Sequence, residues 1–205
     1  RLPWFEFRAP RSVAEAAKIL AGEGPAAVLI AGGTDLIPNM KRRHQSPKTL
    51  VSLRNVEELR KANGTLGAGL TLTDLVNSPQ LRERHRALWQ AAAQIATPHL
   101  RNMGTLGGNL CLDTRCTYYN QSHEWRKAID FCLKKDGETC WVATASKRCV
   151  AVSSTDGAPA LIALGAAVRL VSAQGEREVA LAALYNNDGM DYLTRRAEQI
   201  LTEVS

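Results

Sequence analysis

The stretch Ala26-Ala27-Val28-Leu29-Ile30-Ala31-Gly32-Gly33-Thr34-Asp35 decides how this chain of 205 residues is read. Its apolar run is short and follows Gly22 and Gly24, so it predicts a buried strand. The strand runs straight into a double glycine. Glycines let a backbone approach a phosphate without a Cβ clash, and their N–H groups can point at its oxygens. Thr34 adds a hydroxyl donor, and a helix beginning near it would add partial positive charge. The turn has neither G-x-G-x-x-G nor G-x-x-x-x-G-K-[ST], which excludes a Rossmann fingerprint and a P-loop. Taken alone, these residues fit an ordinary strand-to-helix turn equally well.

Working outward, Ser12 and Glu15 predict a capping box at the start of a helix. Val13, Ala16, Ala17 and Leu20 give that helix its apolar face, and the glycines stop it. After the turn, residues 34–40 predict a helix or tight loop interrupted by Pro38. Residues 48–53 and 65–69 read as strands, and 56–60 as one helical turn. Residues 73–76 open a helix, and 87–96 form another, closed by Thr97 and Pro98. A second glycine turn follows, Gly104-Thr105-Leu106-Gly107-Gly108-Asn109, with the same kinds of donor as the first. Residues 159–165 predict a buried helix, and 167–172 and 177–179 a hairpin. Residues 199–204 read as the opening of another strand, with a C-terminal region expected beyond it. The alternation of short strands and helices argues for α/β or α+β architecture.

Four of the five cysteines, Cys116, Cys132, Cys140 and Cys149, stand at C-x15-C-x7-C-x8-C within residues 111–150. So long a stretch of weak periodicity is uncommon unless it is functional or tied down. Residues 1–7 have charges and no apolar core, so they do not read as a signal peptide, and the absence of Met at position 1 is consistent with a trimmed start. The expected compartment is therefore reducing and cytoplasmic, where clustered cysteines are metal ligands or reactive thiols before they are disulfides. Structural zinc sites usually draw two ligands from one C-x2–4-C turn, and no such pair exists here. Wide spacing favours an iron–sulfur cluster, with zinc, disulfides and free thiols as alternatives. Cys111 reads as a structural thiol, His123 as a solvent-facing hydrogen-bonding residue, and Tyr118, Tyr119 and Trp125 as packing for the loop. The basic residues around the cysteines read either as raising a cluster's potential or as a docking surface.

The formal net charge is +6. The basic residues are scattered and lack the aromatic interleaving of an RNA-binding sheet, so attraction to an anionic cofactor is preferred over nucleic-acid binding. No run of about 18 apolar residues marks a membrane span. No residue reads as a general acid, general base or nucleophile.

Leu29-Ile30-Ala31-Gly32-Gly33-Thr34-Asp35-Leu36, then Gly104-Thr105-Leu106-Gly107-Gly108-Asn109-Leu110-Cys111, then Asp156 with Pro159-Ala160-Leu161, resemble in this order the FAD-binding medium subunit of the molybdenum hydroxylases. The resemblance covers nearly the whole chain. It implies an α+β fold, the vanillyl-alcohol-oxidase (PCMH) type of FAD-binding domain, with one subdomain over 1–60 and a second over 61–205. It also implies a C-terminal family domain that this chain lacks. By resemblance, FAD is bound by Leu29, Ile30, Ala31, Gly32, Gly33, Thr34, Asp35, Leu36, Thr105, Gly107, Gly108, Asn109, Asp156, Ile200 and Leu201. The insertion at 111–150 is similar to that of the 4-hydroxybenzoyl-CoA reductase branch, in which four matching cysteines bind an additional [4Fe–4S] cluster. That branch implies an electron-transfer subunit. Its partners would be a small subunit with two [2Fe–2S] clusters and a large molybdopterin subunit, with ferredoxin as donor and reductive dehydroxylation to benzoyl-CoA on the large subunit. The flavin subunit of another molybdenum hydroxylase and a zinc-binding interaction module are the alternatives.

Overall fold

The structure is a computed structural model that describes residues 1–205. The first part of the chain runs β1 (Glu6–Arg8), α1 (Val13–Glu23), β2 (Ala27–Ile30), α2 (Leu36–Lys41) and β3 (Thr49–Ser52). The three strands form a parallel sheet in the order β1-β3-β2, with Val28 opposite Leu50 and Ile30 opposite Ser52. All four residues of β3 are buried, as expected of a central strand in a parallel sheet. The α1 helix buries Val13, Ala16, Ala17 and Leu20 against this sheet. Ser12 caps α1 by accepting from the Glu15 N–H at 3.1 Å, but the reciprocal arm of the expected capping box lands one residue early: the Glu15 carboxylate accepts from the Arg11 N–H. Pro38 does not break α2, because it sits in the first turn, where its missing N–H has no helical partner to lose.

A 3-10 turn, Glu57–Arg60, leads to β4 (Leu66–Gly67) and a run of short helices. These are α3 (Leu72–Val76), α4 (Pro79–Arg84), α5 (Arg86–Gln94), α6 (Pro98–Arg101) and α7 (Leu106–Leu110). Thr97 and Pro98 do more than close a helix: the Thr97 hydroxyl caps α6, with proline in its first position. Gly107 and Gly108 are not a turn but the body of α7, capped by Thr105. The cysteine stretch contains α8 (His123–Ala128), which the weak periodicity did not predict and which Ser122 caps. Then come α9 (Gly157–Ala163), β5 (Ala167–Ser172), β6 (Gly175–Ala180) and β7 (Ile200–Val204). The second sheet is antiparallel, in the order β4-β7-β5-β6, with a bulge between Arg169 and Leu170.

Each sheet has its own core. Leu72, Leu88, Leu106, Leu161 and Leu170 belong to the larger, with Val13, Leu20, Val51 and Leu59 in the smaller. Ile200 joins the smaller core although its strand belongs to the second sheet, and Leu201 joins the larger. Successive residues of a strand face opposite ways, so β7 is where the two cores meet. No helix is long and apolar enough to cross a membrane.

Candidate functional site

A cleft of about 560 Å³ is lined by the β2–α2 connection, by the α6–α7 connection and by the start of β7. It brings together Leu29, Ile30, Ala31, Gly32, Gly33, Thr34, Asp35, Leu36, Thr105, Gly107, Gly108, Asn109, Ile200 and Leu201. Asp156 is not among the lining residues. It is exposed at the N-terminus of α9, where its side chain makes no capping bond. Asn109 does that work instead. Its Oδ1 accepts from the Thr155 hydroxyl at 2.8 Å and the Gly157 N–H at 3.2 Å.

The two glycine segments differ in what they leave free. A Cβ on Gly32 would run into the Met103 carbonyl, so the β2–α2 turn can lie against the α6–α7 connection only with glycine there. Gly33 has φ +72°, in the left-handed region that favours glycine. The N–H groups of Gly32, Gly33 and Thr34 make no backbone hydrogen bond. In the second segment the Gly107 N–H goes to the Ala68 carbonyl, that of Gly108 to the Thr105 hydroxyl and that of Asn109 to the Thr105 carbonyl. The first turn therefore supplies free anion donors, while the second is largely satisfied internally and shapes the opposite wall.

Charge on the lining agrees with an anionic occupant. Asp35 pairs with Arg115 and also accepts from the Asp113 N–H at 3.1 Å. Asp113 pairs with Lys134 at 2.8 Å. Arg54, Arg60 and Arg195 line the cleft with no carboxylate partner. Sequence reasoning missed these three and Tyr192, because no motif surrounds them. Free N–H groups, guanidinium groups whose charge no carboxylate balances, and apolar walls make a site that fits a pyrophosphate-linked dinucleotide.

Residues 3–205 match the family model described as the FAD binding domain in molybdopterin dehydrogenase. The chain belongs to that family. It is 31% identical over 98% of its length to the nicotinate dehydrogenase FAD-subunit of Eubacterium barkeri, covering 57% of that protein. It is 41% identical over 53% of its length to the carbon monoxide dehydrogenase medium chain of Hydrogenophaga pseudoflava, covering 39% of that protein. The solved carbon monoxide dehydrogenase of Hydrogenophaga pseudoflava superposes on all of this chain with a TM-score of 0.74 at 27% identity, and 59% of that structure's chain is matched. The chain thus spans between about two fifths and three fifths of these relatives. The mixed α/β fold of an FAD-binding domain is the fold observed.

Beside the cleft of this FAD-binding domain lies the cysteine segment. Cys132, Cys140 and Cys149 are buried, Cys116 is half-buried, and no cysteine forms a disulfide. Burial pushes the Cys149 thiol up, and Cys140 and Cys132 add to that push, so the three sulfurs share one electrostatic neighbourhood. At Cys140 burial also acts upward, but the nearby backbone N–H groups of Ala143, Val142 and Val150 outweigh it and lower the thiol. A Cβ on Gly189 would stand 2.6 Å from the Cys149 sulfur, so glycine there leaves that sulfur its room.

The loop around Cys132 is strained. Asp130, Phe131 and Asp136 have φ of 61°, 58° and 65°. For a residue as bulky as phenylalanine this is a genuine outlier. Such conformations cost of order 1–3 kcal/mol each and persist where the surroundings enforce them. Here the Phe131 carbonyl accepts from the Trp141 indole and the Phe131 N–H donates to the Arg126 carbonyl. Arg126 is fully buried, donates to the Arg42 carbonyl and lies over the Phe131 ring. Tyr119 does pack the loop, stacked on His44 with ring centroids 4.0 Å apart, while Trp125 is 39% exposed. Cys111 lines the cleft, and burial pushes its thiol up.

No group of three or more His, Cys, Asp or Glu side chains is placed to hold a metal ion. A zinc ion with bonds of about 2.3 Å to sulfur needs its four ligands gathered in a compact tetrahedron. What speaks for a larger group is the shared burial of three of the four sulfurs.

Proposed function

We propose that this chain is the flavin-binding, electron-transferring part of a molybdenum-hydroxylase-type complex, and that it carries a [4Fe–4S] cluster on Cys116, Cys132, Cys140 and Cys149. The observation that carries the flavin half is the set of N–H groups at Gly32, Gly33 and Thr34 without a backbone partner, opening into a cleft with three arginines that have no carboxylate partner. Bound there, FAD would supply one- and two-electron chemistry, and the cluster one-electron chemistry. The chain's own residues bind and orient. The first turn donates to the pyrophosphate; Ile200 and Leu201 give the wall an apolar surface; Asp35 ties that turn to the cysteine segment. None of them acts as a proton-transferring or nucleophilic group, so substrate chemistry belongs to a partner.

Within that reading we place the FAD-binding subdomains at 1–60 and 61–205 and the cluster insertion at 111–150. The partners are a small subunit with two [2Fe–2S] clusters and a large molybdopterin subunit, in the reducing cytoplasm. The four-cysteine insertion favours 4-hydroxybenzoyl-CoA reductase, with ferredoxin as donor. A flavin subunit of another molybdenum hydroxylase is the second reading, favoured by the similarity to the nicotinate and carbon monoxide dehydrogenase subunits. Cofactor analysis of the protein purified without oxygen tests the proposal. The expected result is one FAD with about four iron and four sulfide per chain, four being the iron count of a single cubane. FAD without iron leaves the flavin reading and removes the cluster; zinc without flavin overturns both.

A further inference from the structure

Between the flavin cleft and the cysteines lies a buried ion pair that neither cofactor site requires. The side chains of Asp113 and Lys134 are 5% and 6% exposed, with Nζ and Oδ1 2.8 Å apart. Lys134 is fully engaged: its ammonium also donates to the Thr114 hydroxyl and the Gly189 carbonyl, both at 2.6 Å, and lies over the Tyr119 and Tyr192 rings. Asp113 also accepts from the Tyr119 hydroxyl at 2.8 Å. Desolvating two charges costs several kcal/mol per ion, and an apolar pair of similar volume would often be as stable. The placement of the pair is informative. Asp113 and Tyr192 line the flavin cleft. Lys134 follows Cys132 by two residues and acts electrostatically on Cys149.

We propose that the Asp113–Lys134 pair is a fixed dipole that sets the reduction potential of the flavin, its carboxylate end in the cleft wall and its ammonium end toward the cysteines. Reduction adds negative charge. A nearby carboxylate therefore opposes it and a nearby ammonium favours it, and burial keeps either effect from being screened. Thr114, Gly189 and the two tyrosine rings hold the ammonium in place, which makes Lys134 and Asp113 positioning residues and not catalytic ones.

The inference rests on the flavin reading and not on the cluster. The experiment is a spectroscopic redox titration of the FAD-loaded protein carrying Asp113→Asn, Lys134→Met or both. Asp113→Asn leaves an unopposed ammonium and raises the flavin potential. Lys134→Met leaves an unopposed carboxylate and lowers it. Each single change is expected to alter the reduced-to-oxidised ratio at fixed solution potential about tenfold, roughly 30 mV for a two-electron couple. The double variant, with no net charge removed, is expected between them. Shifts of the same sign, or none, in variants that hold a full complement of FAD overturn the proposal while leaving the flavin reading intact. Wild-type protein that takes up no FAD sinks the flavin reading itself. Should the single variants lose FAD, the double variant decides: retention of FAD supports a charge effect, and loss there too shows that the pair only supports the fold.

Discussion

Residues 27–36 keep their shape through the backbone, whereas residues 111–150 keep theirs through side chains. The first segment is a parallel strand in register with β3, followed by two glycines whose positions are dictated by close approach and by a positive φ. The second has one short helix, three non-glycine residues with positive φ, a fully buried arginine and a buried ion pair. Backbone-built sites survive changes of side chain at all but a few positions. Side-chain-built sites do not, because each buried polar group depends on its partner. The two segments are joined by the Asp35–Arg115 pair and by the Asp113 N–H on Asp35, and just beyond α2 the His44–Tyr119 stack extends the seam.

The largest expected effect separates the two. With the proposed cluster in place, Cys132→Ser is expected to remove its brown absorbance completely while FAD stays bound at its wild-type ratio, because the glycine segments lie outside the insertion. Iron, sulfide and flavin assays on one preparation check it; loss of both cofactors together would mean that the regions fold as one. The opposite experiment is Gly32→Ala. Its Cβ would collide with the Met103 carbonyl, a backbone atom that cannot step aside as a flexible side chain can. Overpacking of this kind costs about 1–3 kcal/mol or more, and here it also pushes the two walls apart. FAD affinity is expected to fall at least tenfold, read by flavin fluorescence on titration, together with a lower melting temperature.

The seam gives a pH test. His44 is 4% exposed. Burial first, and then the neighbouring Arg126 charge, lower its pKa from 6.5 to about 4. Between those values the unfolded chain binds the proton and the folded chain does not. His44 therefore contributes stability that is complete above about pH 6.5 and is lost as the pH falls toward 4. His44→Phe is expected to flatten the melting temperature between pH 7 and pH 5 relative to wild type. An unchanged slope would show that other groups govern this range.

How much of this was legible in the sequence follows the same division. The strand ending in Ile30, the α1 face of Val13, Ala16, Ala17 and Leu20, and the strand over 199–204 were readable, because hydrophobic period and glycine placement are local signals, whereas Ile200 and Leu201 came to the cleft by resemblance. Cleft residues such as Arg54, Arg60 and Arg195 were not, since nothing near them in sequence marks a charge that ends up unpaired. Asp156 was carried over by resemblance; the structure leaves it exposed and outside the cleft lining, and Asn109 supplies the α9 cap. The α8 helix was missed because its six residues give too few turns for a period to show, and its position depends on a buried Arg126 that hydropathy would place outside.

The smallest effect concerns the second glycine segment. The Thr105 hydroxyl accepts from the Gly108 N–H at 3.1 Å and so fixes the first turn of α7. If this segment shapes the wall without donating to the cofactor, Thr105→Ala frees a donor instead of removing one. The cost is then that of a lost helix cap, about 1 kcal/mol, seen as a slightly lower melting temperature with FAD affinity changed less than threefold. If the Thr105 hydroxyl itself reaches the pyrophosphate, affinity falls tenfold or more while the melting temperature of the flavin-free protein falls by the same small amount. Comparing Thr105→Ala with Thr105→Ser distinguishes these, because serine restores both the cap and the hydroxyl but not the methyl group of this buried side chain. Equal loss of affinity in the two variants would place the contribution of Thr105 in packing, and the free donors of the first turn would then stand as the main anchor for the pyrophosphate.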